Sequence, residues 1–148
     1  NKTRLAAENF AWIHSVDRLK IAQRLSDQRP PSVAPLNICL QINIDNESTK
    51  SGFTSAQALG TALEIARLPG IRLRGLMAIP QSRNSLEDQR APFRRLRELK
   101  DQINELLDNS QKLDTLSMGM SGDMEAAILE GATIVRVGTD IFGARATL

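Results

Sequence analysis

The feature that most limits what this chain can fold into is an alternation: short β-branched or apolar runs, each followed by a longer stretch of helical periodicity. Leu36 to Ile44 (LNICLQINI) is the clearest strand. Its near-continuous apolarity predicts burial on both faces, as in a parallel sheet. Thr54 and Gln57 then stand at capping-box spacing, where hydroxyl and amide satisfy free N–H groups at a helix start. That helix carries Leu59, Ala62, Leu63 and Ala66 on one stripe, and Pro69-Gly70 stops it. The same rhythm predicts a strand from Ile71 to Ile79, closed by Pro80, and a helix from Leu86 to Asn109. Phe93, Leu96, Ile103, Leu106 and Leu107 form that helix's core face. A strand from Leu113 to Met118, a helix from Ser121 to Glu130 ending at Gly131, and a strand from Thr133 to Val137 complete the series. Upstream, Ala11 to His14 is a short strand candidate. Asp17 is expected to cap a helix to Asp27, with Leu19, Ala22 and Leu25 on one face and Arg29-Pro30-Pro31 after it.

A repeated strand-then-helix order predicts a parallel α/β architecture, with right-handed crossovers placing helices outside the sheet. No composition break marks a second domain, so residues 1–148 read as one α/β domain. A closed barrel of this type takes eight strands, more than the pattern supplies. Either the sheet is open or units are missing upstream. The chain starts at Asn1 with a segment that already reads as mid-helix, so a fragment is expected.

Charge and residue counts narrow the function. A net charge of +2, from 19 basic and 17 acidic residues, argues against a dedicated nucleic-acid binder. No apolar run approaches the roughly 20 residues needed to span a bilayer. Cys39 is the single cysteine, so no internal disulfide can form and a cytoplasmic location is expected. His14 is the single histidine, which excludes a histidine-based metal cluster. The arginine-rich stretch Arg90 to Lys100 is interleaved with acids. Arg94–Glu98 and Arg97–Asp101 have i,i+4 spacing and read as a solvated helix face. Asp45 and Glu47 read as a solvated loop, and Met118, Met120 and Met124 as core filler.

Two segments carry candidate chemistry. In Ser117-Met118-Gly119-Met120-Ser121-Gly122-Asp123 a buried strand ends in a glycine-containing turn before Ser121 opens a helix. In Val135-Arg136-Val137-Gly138-Thr139 a strand ends in a cation, a glycine and a hydroxyl. Free N–H groups at such turns suit an anion, and the loops after the last strands of an α/β barrel often hold phosphate. Plain capping and turn roles for Ser121 and Gly138 explain the same residues equally well.

Taken together, Gln41-Ile42-Asn43-Ile44 with Lys50-Ser51-Gly52, Arg74 to Pro80, Leu116 to Met124, and Val135 to Thr139 with Ile141-Phe142-Gly143 resemble the YggS/PROSC family in order and spacing. The resemblance runs from Asn1 to Arg145. It implies the last five or so units of an alanine racemase-like (β/α)8 TIM barrel. It also implies pyridoxal 5'-phosphate (PLP) as cofactor, at the C-terminal strand ends, and a role in PLP homeostasis without an established reaction. It points to Ser121, Gly122, Gly138 and Thr139 for the phosphate, to Arg136 near the phosphate or ring, and to Met77 beside the ring. The family's Schiff-base lysine lies on a first strand absent here. Lys2, Lys20, Lys50, Lys100 and Lys112 do not match it, and Lys50 reads as solvated or loop-closing. A racemase-like enzyme is the alternative, but the chain contains no tyrosine to act as its base. A phosphate-binding barrel for another metabolite is a further one. A monomeric parent is expected, and open sheet edges predict self-association of the fragment.

Overall fold

The structure, a computed structural model, describes residues 2–143; Asn1 and residues 144–148, with the resemblance at Ala144-Arg145, lie outside the described residues. The elements in chain order are α1 (Thr3–Asn9), β1 (Trp12–Val16), α2 (Leu19–Gln28), β2 (Leu36–Gln41), α3 (Ser55–Ala66) and β3 (Ile71–Met77). They continue as α4 (Leu86–Leu106), a 3-10 turn (Asn109–Gln111), β4 (Thr115–Met120), α5 (Met124–Leu129), β5 (Ile134–Arg136) and α6 (Thr139–Phe142). The five strands form one parallel sheet in the order β1-β2-β3-β4-β5. The alternation therefore predicted both the strand count and their direction.

One face of the sheet packs on the helices. Ile38, Leu40, Leu73, Leu76, Leu116 and Met118 meet Leu25, Ala62, Ile65, Phe93, Leu96 and Ile103 in a continuous apolar core. The other face follows the period of two along each strand: Trp12 and His14, Asn37, Cys39 and Gln41, Met77, Ser117 and Arg136. This face is concave. The His14 Nδ1 atom on β1 lies 2.8 Å from Ser117 Oγ on β4. In a flat sheet strands three apart stand roughly 14 Å from each other, so only a curled sheet lets these side chains meet. The sheet is thus part of a barrel wall. Gly75 permits the β3–β4 approach, since a Cβ there would sit 1.8 Å from the Thr115 carbonyl oxygen.

Several boundaries differ from expectation for identifiable reasons. β2 ends at Gln41 rather than Ile44 because the following loop folds back on it. Phe53 N–H donates to Gln41 O, and Asn43 N–H donates to Phe53 O, both at 2.9 Å. Burial on the concave face of β2 is only partial: Cys39 is fully buried, while Asn37 and Gln41 remain half-buried. β4 begins at Thr115 because Asn104 of α4 holds both backbone groups of Leu113. Asp17 does not cap α2; the cap position is Arg18, whose guanidinium holds the Asp17 carboxylate. The α3 stripe is rotated, with Ile65 buried and Leu63 exposed, and at the end of α4 Leu107 is buried while Leu106 faces solvent. The Thr54–Gln57 capping box forms as expected.

The arginines of α4 do not make the expected i,i+4 pairs. Arg90, Arg94 and Arg97 turn to Glu130, which is 1% exposed, with contacts of 2.8, 3.3 and 2.6 Å. A buried carboxylate attracts cations more strongly than a solvated one, because less water screens it. No helix among the described residues is long and apolar enough to cross a membrane.

Candidate functional site

The C-terminal ends of β3, β4 and β5 bring most of the candidate residues together. After β4 the chain makes a tight turn: Asp123 N–H donates to Met120 O at 3.1 Å, and Met120 N–H donates to Asp123 Oδ1 at 2.7 Å. This turn occupies residues 121–123, so α5 starts at Met124 instead of Ser121. Ser121 is consequently not a helix cap. Its Oγ accepts from the Asp140 N–H in the first turn of α6, just after β5, at 3.3 Å. That bond ties the loop after β4 to the loop after β5.

Four backbone donors flank this tie in the chain. No hydrogen bond among the described residues uses the N–H groups of Ser121, Gly122, Gly138 or Thr139. A Cβ at Gly122 or Gly138 would meet nothing within 4 Å, so the space over both backbones is open. Unpaired N–H groups beside open space are the kind of donors that can take an anion.

Behind the loops stands Arg136, at the end of β5. Its Nη2 donates to Ala78 O at 3.0 Å, while its Nε is buried without a partner. Burial lowers its pKa from the ordinary arginine value, and the nearby Asp123 carboxylate opposes that shift. Met77, 3% exposed, lies on the same face as the register partner of Ser117. Below this level, Arg74 stacks over Trp12 at 4.7 Å and pairs with Asp114, closing the lower part of the concave face.

Residues expected to be solvated turn out to hold the neighbouring loops. The Asp45 side chain is 6% exposed and accepts from Arg83, Arg95 and the Gln81 N–H. Burial pushes its pKa upward, but hydrogen bonds from Arg83 and Gln81 and the charges of Arg83 and Arg95 leave it below the ordinary value. Glu47 pairs with Lys50 at 2.6 Å, and Lys50 Nζ also reaches Ile79 O at 3.4 Å. Lys50 therefore closes a loop beside a cleft of about 330 Å³. Gln89 donates to the carbonyls of Arg83 and Gly122 and so links α4 to the turn after β4. Met120, expected in the core, is 42% exposed and lines a second cleft next to Gly122.

The His14–Ser117 pair escaped the sequence reading. The available signal was a polar side chain at an inward position of each strand, in WIHSV and TLSMGM. Burial, and then the charge of Arg136, lowers the pKa of His14. Cys39, on the same face, is pushed up to about 12 by burial, which makes it a poor nucleophile.

Residues 1–146 match the alanine racemase N-terminal domain. The chain belongs to that family. Within it, the pyridoxal phosphate homeostasis protein of Pseudomonas aeruginosa is 58% identical over 145 residues, which are 98% of this chain and 60% of that protein. The chain thus spans about 60% of the length of the curated relatives it matches. PipY of Synechococcus elongatus, solved without PLP, superposes with a TM-score of 0.87 at 34% identity, covering 97% of this chain and 66% of that one. The structure of PipY with PLP bound gives 0.84 at 33% identity, with the same coverage. These relatives agree with the YggS/PROSC resemblance and with a partial alanine racemase-like barrel.

Proposed function

We propose that this chain binds PLP non-covalently through its phosphate, and that the parent protein carries the cofactor in PLP homeostasis rather than turning it over. The observation that carries this reading is the joined pair of loops after β4 and β5: four free N–H groups over open glycine backbones, backed by the Arg136 guanidinium. In this reading Ser121, Gly122, Gly138 and Thr139 hold the phosphate. Arg136 supplies the compensating charge and offers its unpartnered Nε. Met77 gives the ring an apolar surface. When bound, PLP supplies an electrophilic aldehyde and an electron-accepting ring. The chain's own residues bind and orient it.

Nothing on the described strands carries it further. The strands contain no lysine, and the chain has no tyrosine to move a proton on a bound amino acid. Lys50, in the loop after β2, is engaged by Glu47. PLP named in the PipY structure and in the relatives' names supports the cofactor. The lone Cys39 thiol fits a cytoplasmic setting. The edge strands β1 and β5 are where copies of this chain would pair.

The test is a titration with PLP, followed by borohydride reduction and intact-mass measurement. The expected outcome is reversible binding that inorganic phosphate displaces, with no covalent adduct. Ser121→Ala should weaken it about fivefold, the worth of roughly one hydrogen bond. A stoichiometric adduct on Lys50, or binding indifferent to phosphate, overturns the proposal.

A further inference from the structure

The loops after β4 and β5 account for an anion but not for the molecule attached to it. Directly below them on the concave face lie Met77, Ser117, His14 and Arg136. His14 reaches across the sheet from β1, and its Nδ1 is committed to the fully buried Ser117 hydroxyl at 2.8 Å. This contact fixes the plane of the imidazole. The other ring nitrogen, Nε2, has no hydrogen-bond partner among the described residues, and the ring is only half-buried. Arg136 presents a second unpartnered polar atom, its buried Nε. A histidine needed only to join β1 to β4 uses one nitrogen. Here an oriented ring keeps the second one available, on the face where the phosphate loops open.

We propose that His14 is a specificity-determining residue for the ring half of the ligand: it selects a phosphorylated aromatic heterocycle over phosphate alone, by a hydrogen bond from or to its Nε2. The inference rests on the phosphate reading above and adds the ring to it. Ser117 is the positioning residue, since it touches the imidazole and not the ligand. Burial and the charge of Arg136 favour the neutral ring, in which one nitrogen donates and the other accepts. Nδ1 faces the Ser117 hydroxyl, which can donate or accept, so Nε2 is the nitrogen left for the ligand.

His14 is the only histidine, so selective ¹⁵N labelling of histidine gives two ring-nitrogen resonances free of overlap. PLP and inorganic phosphate are titrated separately into the labelled chain, and affinities are measured for wild type, His14→Phe and Ser117→Ala. PLP should shift the Nε2 resonance, and inorganic phosphate should leave it in place. His14→Phe should lower PLP affinity about tenfold, as expected for one good hydrogen bond, with phosphate affinity unchanged. Ser117→Ala should lower PLP affinity less and broaden or split the Nε2 signal as the ring loses its fixed plane. An Nε2 resonance indifferent to PLP overturns the inference, and this readout needs no variant to fold. Equal weakening of PLP and phosphate in His14→Phe also overturns it, by showing a purely structural role. If wild type binds neither compound, the phosphate reading itself fails. If wild type prefers PLP and His14→Phe retains that preference, only the ring assignment fails.

Discussion

The two faces of the sheet are built from the same strands and obey opposite rules. Toward the helices, Ile38, Leu40, Leu76 and Met118 are fully or almost fully buried among apolar neighbours, leaving no polar atom to satisfy. Toward the concave side, Asn37, Gln41, His14, Ser117 and Arg136 alternate with them, and Arg136 keeps a buried nitrogen unpaired. Burial of apolar area stabilises the first face. The second face sacrifices stability, because a buried donor without a partner costs about 1–3 kcal/mol. Such a cost is tolerated where the atom has a use outside the fold. The helix side is not free of such atoms, since Gln28 Oε1 on α2 is also buried without a partner, but on the sheet itself the unpaired donor lies on the concave face, where the proposed site stands.

The comparison breaks if substitutions on the two faces have similar consequences. Phe93→Ala on the helix-covered side should lose about 3–5 kcal/mol of stability in urea denaturation, the usual result of a large buried cavity. Next in size is Glu130→Ala, at roughly 1–3 kcal/mol, because Arg90, Arg94 and Arg97 are left facing one another without their shared carboxylate. The half-exposed arginines keep that value below the cost of breaking a fully buried pair.

On the concave side, Arg136→Met should change stability by about 1 kcal/mol or less, and in either direction, while reducing affinity for PLP about tenfold or more. A large stability loss with unchanged binding would make Arg136 a structural residue and erase the contrast. Asp45 tests the rim between the faces. Its pKa is depressed in the fold, so its stabilising contribution is present above the unfolded value of about 3.9 and is lost as pH falls through the lower folded value. Denaturation at neutral and acid pH should show wild type losing this contribution below about pH 4, and Asp45→Asn showing a shallower acid limb. The smallest effect is on His14. Its titration, followed by NMR, should have a midpoint below the ordinary value of about 6.5 and move upward in Arg136→Met. The depressed value means that acid favours the unfolded state, so this residue's effect on stability is unfavourable below its unfolded pKa.

Much of the fold was legible because it rests on local chemistry. The capping box at Thr54 and Gln57, the stop at Pro69-Gly70 and the Gly131 end of α5 all depend on neighbours in sequence. Errors arose where a distant partner intervened. Asn104 removed Leu113 from β4, and Glu130 drew the α4 arginines away from Glu98 and Asp101. In the candidate site, the two loops could be named from their glycines, cation and hydroxyl. The bond between them, Ser121 to Asp140, could not, nor could the His14–Ser117 contact, whose partners are 103 residues apart. Curvature of the sheet creates that contact, and curvature leaves no mark in a pattern of period two.

The strand order, in which each strand lies beside its predecessor in the chain, bears on how the molecule assembles. Every sheet pairing closes only one helix-sized loop, so contact order is low for a β-containing fold and no pairing must wait for a remote segment. Structure can spread from one unit to the next. The Ser121–Asp140 tie forms only when the last two units dock, so during synthesis the wall emerges before the proposed site is completed.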